Sequence, residues 1–146
     1  MYRPMRPNLI KLKYKPNPDL SIVLNEATLL NNYLRPIVDN NFLCEEFFVV
    51  YLNSSFNPLG AMKVNIGGLS SVMVDIGIIV STALLSRSRS IVVAHTHPSG
   101  STVFSQKDIK LTKDLKAALS IFDICLVDHL VLTYTEHSSF VNNHHF

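Results

Sequence analysis

Apolar residues recur along the chain with spacings that predict both strands and helices. Three segments have the β-branched and aromatic composition of buried strands: 45–53, 91–94 and 124–133. Three others carry apolar residues near helical spacing: 21–36, 72–85 and a stretch that begins at Ser105. Strands and helices therefore interleave, which favours a layered α/β domain.

Weaker patterns complete this picture. A turn cluster at 54–58 separates the first buried strand from segment 59–66, so these two strands are predicted to form a hairpin. Short edge strands are predicted near residues 9–14 and near Phe140. The first helix has Asp19 or Ser21 as its cap and should end or kink at a proline.

The composition indicates one folded domain. Of the 146 residues, 47% are hydrophobic and 16% are charged, which favours a packed core over a disordered chain. No apolar run reaches the ~18 residues of a membrane span, and no apolar stretch follows Met1 as in a secretory signal. We therefore expect a cytoplasmic protein without membrane contact, in which Cys44 and Cys125 are reduced, buried thiols.

Positive charge is concentrated at the start of the chain. The basic residues that precede the first acidic residue, Asp19, are Arg3, Arg6, Lys11, Lys13 and Lys15. This arm is either a solvated leader or a weak contact for the phosphates of DNA. The net charge of +2 is too small to indicate nucleic-acid binding by itself.

The strongest chemical signal lies in one short stretch. His95 and His97 follow the predicted strand 91–94 two residues apart, so in an extended chain both face the same side. A proline and a glycine then turn the chain, and Ser105 and Asp108 open the next predicted helix. Two imidazoles and one carboxylate are a usual protein ligand set for a catalytic zinc, with the fourth position left to water.

Several of the polar residues also have a structural interpretation. Ser105 and Asp108 have the spacing of a helix capping box with aspartate in place of glutamate, and that role is compatible with metal binding. His129 is expected to be structural, and His144 and His145 are expected to be surface residues of the tail. Chance rarely places a strand, His-x-His-Pro, a turn and Ser-x-x-Asp in this order. The combination therefore favours a functional site over purely structural roles.

The segments His95-Thr96-His97-Pro98 and Ser105-x-x-Asp108 are similar to the JAB/MPN (JAMM) metalloprotease signature. Further segments resemble the RadC-type branch of that superfamily: Ala94 to Gly100, Leu111-Thr112, Asp128-His129-Leu130, Glu45-x-Phe47 with Leu52-Asn53, and Gly67-Gly68. The resemblance covers roughly residues 40–140. It implies a three-layer α-β-α sandwich around a mixed sheet, which is the cytidine-deaminase-like architecture of JAB/MPN domains.

The resemblance also implies a domain organisation. Residues 1–40 are expected to form an N-terminal arm and helix, and residues 41–146 the RadC-like JAB/MPN domain. RadC proteins often carry a helix-hairpin-helix DNA-binding region ahead of this domain. The residues that precede it in this sequence are too few for such a region, so a JAB domain standing alone is expected.

The activity implied by the resemblance is hydrolysis of a peptide or isopeptide bond in a peptide or protein substrate. One zinc ion with a bound water would be held by His95, His97 and Asp108. In the family, the serine at the position of Ser105 helps to stabilise charge on the substrate's carbonyl oxygen, and a glutamate on an earlier strand takes the proton from the water. Zinc lowers the pKa of that water to ~7, so a nearby carboxylate can deprotonate it.

Two residues compete for the role of that glutamate. Glu45 and Glu46 are neighbours in a predicted strand, so at most one of them looks into the cleft. The pattern Glu-x-Phe favours Glu45. The only ionisable residue of the predicted return strand, 59–66, is Lys63, and a protonated lysine is a poor base. The alternative function is a non-catalytic or weakly catalytic metal-binding module that binds DNA or a partner protein, in keeping with the DNA-repair association of the RadC name.

Overall fold

The computed structural model of the protein describes residues 22–38, 44–64 and 74–143. The helices are α1 (Ala27–Leu34), α2 (Ile76–Leu85) and α3 (Gln106–Ser120), and a 3-10 helix follows α1 at Arg35–Ile37. The strands are β1 (Phe47–Leu52), β2 (Pro58–Lys63), β3 (Ser90–Thr96), β4 (Cys125–Leu132) and β5 (His137–Ser139).

The strands form one mixed sheet in the order β2-β1-β3-β4-β5. β1 is antiparallel to both β2 and β3, and β4 is antiparallel to β5. β3 and β4 are parallel, and α3 forms the crossover that a parallel pair requires. The predicted hairpin is confirmed by the β1–β2 register, in which Val50 lies opposite Ala61.

The core has two halves because every residue of β1 is buried and alternate side chains enter opposite faces of the sheet. On one face the buried cluster joins α1 to the central strands and includes Leu30, Leu34, Phe48, Val50, Val92 and Leu130. On the other face the cluster joins α2 and α3 to the same strands and includes Phe47, Val49, Val93, Ile79, Leu115 and Leu119. The predicted three-layer α-β-α architecture is therefore confirmed.

α1 begins at Ala27, about one and a half turns later than the sequence pattern predicts. Contacts distant in sequence explain the difference. The backbone N–H of Leu24 donates to the carbonyl of Phe56 at 2.9 Å, and Nδ2 of Asn57 donates to the carbonyl of Ile22 at 2.9 Å. These bonds hold the residues before α1 in a non-helical conformation, since tertiary contacts override a weak local preference.

Two further expectations need correction. Cys44 and Cys125 are free thiols as predicted, but both are exposed. Cys44 precedes β1 and Cys125 is the first residue of β4, so both lie at strand ends, where the sheet meets solvent. α2 begins at Ile76, where the side chain of Asp75 caps it by accepting from two backbone N–H groups, and not at residue 72.

Some predictions lie outside the described residues. They are the basic arm with its edge strand at 9–14, the caps Asp19 and Ser21, the pair Gly67-Gly68, and the tail histidines His144 and His145. Among the helices of the described ranges, none has the length and apolar character needed to cross a bilayer.

Candidate metal centre

The structure brings together the three residues that were predicted to bind a metal. His95 lies near the end of β3, His97 follows that strand directly, and Asp108 lies in the first turn of α3. Nε2 of His95 is 2.9 Å from Nε2 of His97 and 3.3 Å from Oδ1 of Asp108. One potential ligand atom from each residue lies within 4.8 Å of the others, and within residues 22–38, 44–64 and 74–143 this is the one such group.

These separations fit a metal ion. Ligand atoms bound at ~2.0–2.2 Å to a tetrahedral centre lie about 3.3 Å from one another. Nε2 of His95 is 2.9 Å from Nε2 of His97 and 3.3 Å from Oδ1 of Asp108, whereas Nε2 of His97 is 3.8 Å from the other carboxylate oxygen, Oδ2. His95, His97 and Asp108 could therefore hold a metal ion.

Hydrogen bonds at the end of β3 position the two histidines. The backbone N–H of Thr96 donates to the carbonyl of Glu46, which directly precedes β1, and that of His97 donates to the carbonyl of Leu132 at the end of β4, both at 2.9 Å. The chain then turns back at Gly100, whose φ of 78° suits glycine and whose N–H donates to the carbonyl of His97. Three backbone hydrogen bonds therefore hold the chain in place around the two histidines.

The ring of His97 has a defined orientation. Its Nδ1 lies 2.7 Å from the carbonyl oxygen of Ser101, and that oxygen can only accept a hydrogen bond. Nδ1 of the neutral ring therefore carries the proton, and Nε2 presents its lone pair to His95 and Asp108.

Ser105 and Asp108 form the predicted capping box. Oγ of Ser105 accepts from the N–H of Asp108 at 3.2 Å, while Oδ2 of Asp108 accepts from the N–H of Ser105 at 2.7 Å and from its hydroxyl at 2.6 Å. The other carboxylate oxygen, Oδ1, faces His95. One side chain thus caps α3 and also offers a ligand atom to the metal centre.

The carboxylate of Asp108 is held in its ionised form. Burial by itself would raise the pKa of Asp108. The adjacent imidazole of His95, together with the hydrogen bonds from Ser105, outweighs burial and lowers the pKa of Asp108 well below its ordinary value. A ligand carboxylate must be ionised, so this environment favours metal binding.

A cavity of about 660 Å³ opens beside the three ligands. Its described lining includes Glu45, His97, Ser99, Ser101, Ser105 and Asp108. Glu45 is exposed on this cavity, whereas Glu46 is buried and forms an ion pair with Lys63. The cavity thus contains an acid, a hydroxyl group and two of the three ligand side chains.

A family profile described as the RadC-like JAB domain matches residues 24–145. The chain belongs to the RadC-like JAB family. The match includes α1, and the division of the chain at residue 40 stays a prediction.

Relatives of this RadC-like JAB domain carry the name UPF0758 protein. That of Flavobacterium johnsoniae is 35% identical over 98 residues, which are 67% of this chain and 43% of the relative. That of Salinibacter ruber is 36% identical over 95 residues, 65% of this chain and 41% of the relative. That of Shewanella baltica strain OS185 is 34% identical over 119 residues, 81% and 52% of the two chains. The chain spans about half the length of the curated relatives it matches.

In this RadC-like JAB domain, sequence reasoning missed a contact beneath the metal centre. His129 is completely buried, and its two ring nitrogens lie 2.8 Å from Nδ1 of His95 and 2.6 Å from Oγ1 of Thr112. Burial, followed by the proximity of His95, lowers the pKa of His129 well below its ordinary value, so the ring is neutral. The sequence did contain one signal of this contact. A histidine within an apolar strand is expected to be buried, and a buried imidazole needs hydrogen-bond partners.

Asp128, the residue before His129, is hydrogen-bonded to β5 and the segment after it. Its carboxylate accepts hydrogen bonds from Oγ of Ser139 at 2.6 Å and from the backbone N–H groups of His129 and Val141 at 2.7 and 3.1 Å. Burial raises the pKa of Asp128 although all of these hydrogen bonds lower it. Asp128 therefore ties β4 to β5 and to the segment that follows it.

Proposed function

We propose that this RadC-like JAB domain is a zinc-dependent hydrolase that cleaves peptide or isopeptide bonds. The observation that carries the proposal is the convergence of His95, His97 and Asp108 beside a cavity lined by Glu45 and Ser105. Two imidazoles and one carboxylate leave a fourth coordination position open, which is typical of catalytic rather than structural zinc sites. Membership of the RadC-like JAB family supports the same chemistry.

The three ligand side chains would hold the ion through Nε2 of His95, Nε2 of His97 and Oδ1 of Asp108. When bound, zinc supplies a Lewis acid and lowers the pKa of a coordinated water to ~7. The remaining residues then handle protons and charge. In this proposal, the carboxylate of Glu45 accepts the proton of the attacking water and passes it to the amine nitrogen as the carbon–nitrogen bond breaks.

Ser105 is proposed to stabilise the substrate's carbonyl oxygen as negative charge develops on it. Its hydroxyl lies on the cavity and donates to Oδ2 of Asp108 at 2.6 Å. Rotation of the hydroxyl would redirect that proton to the substrate, while the backbone N–H of Ser105 continues to donate to Oδ2. The volume of about 660 Å³ is within the range of small-molecule and peptide side-chain pockets.

The neighbouring glutamates provide the decisive experiment. Zinc content and turnover of fluorogenic peptide and isopeptide substrates are measured for the wild type, Glu45→Gln and Glu46→Gln. We expect Glu45→Gln to retain about one zinc but to lose ~100- to 10,000-fold in turnover, the range that a positioned base contributes. Glu46→Gln is the matched control and should keep most of the activity, because Glu46 is buried against Lys63.

The ligand assignment is tested by His95→Ala and Asp108→Ala, which should both lose the zinc. A wild-type protein that takes up no zinc, or a Glu45→Gln variant with unchanged turnover, would contradict the proposal. Stoichiometric zinc without turnover would instead favour a non-catalytic metal-binding module.

DNA binding through the basic arm is a second proposed function. The charges of Arg3, Arg6, Lys11, Lys13 and Lys15 precede the first acid of the chain. If the arm contacts phosphates, DNA association should weaken steeply with salt, and replacing the three lysines by glutamine should lower both the affinity and the salt dependence. Fluorescence anisotropy with a labelled duplex measures both quantities.

A further inference from the structure

A chain of hydrogen bonds runs beneath the metal centre and joins two of its ligand residues. It begins at the backbone carbonyl of Asp108, which lies 2.6 Å from Oγ1 of Thr112. Oγ1 of Thr112 lies 2.6 Å from Nδ1 of His129, and Nε2 of His129 lies 2.8 Å from Nδ1 of His95. The chain therefore leads from one proposed ligand, through α3 and β4, to the inner nitrogen of another.

The first group of this chain determines where every proton lies. The carbonyl oxygen of Asp108 can only accept, so the hydroxyl of Thr112 donates to it. Oγ1 is then the acceptor for the N–H at Nδ1 of His129, and Nε2 of that neutral ring is left without a proton. Nε2 of His129 in turn accepts from Nδ1 of His95. With its proton at Nδ1, the neutral ring of His95 has its lone pair at Nε2, the nitrogen that faces His97 and Asp108.

The reversed arrangement would oppose metal binding. If the hydroxyl of Thr112 donated to His129 instead, Nε2 of His129 would carry the proton and donate to Nδ1 of His95. The neutral ring of His95 would then carry its own proton at Nε2, directed at the metal position, and a protonated nitrogen is not a ligand. The two arrangements thus differ in whether His95 can coordinate a metal.

Burial makes the arrangement resistant to water. The exposed fractions of Thr112, His129 and His95 are 1%, 0% and 5%, so solvent does not supply alternative partners. The ring of His129 is also held between aromatic side chains, with its centroid 5.4 Å from that of Phe104 and 6.0 Å from that of Phe140. The ring therefore cannot turn without disturbing the core.

We infer that Thr112 and His129 are positioning residues that select the metal-binding tautomer of His95. Neither residue contacts the proposed metal or substrate. The inference rests on the ligand assignment of the proposed function, but it does not depend on hydrolysis. It predicts that a single hydroxyl group on α3 controls metal affinity through two imidazole rings.

The test compares Thr112→Val with Thr112→Ser. Valine keeps the shape of threonine but removes the hydroxyl, whereas serine keeps the hydroxyl. In metal-free protein, ring ¹⁵N–¹H NMR should show a proton at Nδ1 of His95 in the wild type and in Thr112→Ser, and a partial loss of that proton in Thr112→Val. Zinc affinity, measured by competition with a chelator, should fall ~10- to 100-fold in Thr112→Val and return to within a few-fold in Thr112→Ser.

Two further variants separate positioning from simple loss of stability. His129→Phe removes the acceptor within an aromatic environment and should weaken zinc binding as Thr112→Val does. Thr133→Val removes another buried threonine hydroxyl, which is hydrogen-bonded to Glu136, and should leave zinc affinity unchanged even if it lowers stability.

The inference would be overturned by a wild-type His95 without a proton at Nδ1, or by Thr112→Val with unchanged protonation at Nδ1 or unchanged zinc affinity. Absence of peptide hydrolysis in all variants would contradict the proposed function alone, because neither NMR nor chelator competition requires turnover.

Discussion

The carboxylate of Glu46 forms an ion pair with the ammonium group of Lys63 across the β1–β2 hairpin. Glu46 is buried by this contact, whereas Glu45, one residue earlier, is exposed on the cavity beside the metal centre. Adjacent residues of an extended chain face opposite sides, so the two acids cannot both serve the cavity. This arrangement supports the proposal that Glu45, and not Glu46, acts as a general base.

The ion pair leads to a prediction about stability. Lys63→Met keeps the length of the side chain but leaves the carboxylate of Glu46 without its ammonium partner. We expect the free energy of unfolding to fall by ~1–3 kcal/mol, less than for a fully buried pair because 47% of the Lys63 side chain is exposed. Urea unfolding measures the change.

A double variant provides the control for the ion pair. Lys63→Met combined with Glu46→Gln removes both charges and should be more stable than Lys63→Met alone. Purely additive losses in the two single variants would show that the charges do not interact.

Local patterns accounted for most of the fold and for the candidate ligand residues. His95 and His97 lie at the end of an apolar strand, and Ser105 and Asp108 have capping-box spacing. Residues nearby in sequence were therefore sufficient to predict where these side chains lie. The β1–β2 hairpin could be predicted in the same way, because a turn cluster separates two strand-like segments. These features depend on interactions between residues close in sequence.

The features that sequence reasoning missed depend on residues far apart. His129 is 34 residues from His95 and 17 from Thr112, so its role appears only once β3 and β4 pair in parallel and α3 packs above them. The late start of α1 likewise depends on contacts of Ile22 and Leu24 with the β1–β2 turn. Periodicity carries no information about such contacts.

A second prediction concerns pH. Burial raises the pKa of Asp128 above its ordinary 3.8, so the folded state favours the neutral carboxyl. The stability that the neutral form contributes is complete below pH 3.8 and is lost as the pH rises through the folded-state pKa. Asp128→Asn resembles the neutral form and does not titrate. The variant should therefore gain stability relative to the wild type as the pH rises.

Urea unfolding of metal-free protein at about pH 4 and about pH 7 checks this difference. The amide oxygen in Asp128→Asn can accept from the N–H groups of His129 and Val141, and its NH₂ group can donate to Ser139, so the fold should persist. A difference that stays constant or shrinks with rising pH would show that Asp128 is not penalised by burial.

A third prediction tests whether α1 belongs to the core of the domain. Leu34 is completely buried against the sheet, whereas 41% of Leu29 on the same helix is exposed. Leu34→Ala should lower the free energy of unfolding by ~2–5 kcal/mol, and Leu29→Ala should have a much smaller effect. Equal, small effects in urea unfolding would mean that α1 folds separately from the sheet, as a division of the chain at residue 40 would allow.

The last prediction separates the structural role of Ser105 from its proposed catalytic role. Its hydroxyl accepts from the N–H of Asp108 and donates to Oδ2 of the same residue. Ser105→Ala removes both interactions and should lower the free energy of unfolding by ~1 kcal/mol, as measured by urea unfolding of metal-free protein. Ser105→Thr retains the capping hydroxyl and should remain close to the wild type, so a wild-type stability for Ser105→Ala would contradict the capping role.

Turnover of the zinc-loaded variants then reports on the proposed chemistry. If the hydroxyl of Ser105 stabilises charge on the substrate, Ser105→Ala should lose ~100- to 1,000-fold in kcat, the typical effect of removing one such donor. The loss should persist at temperatures at which both proteins are fully folded, and zinc content should be unchanged because Oδ1 of Asp108 does not contact Ser105 in the capping box. An unchanged kcat in folded, zinc-loaded Ser105→Ala would leave Ser105 with the capping role alone.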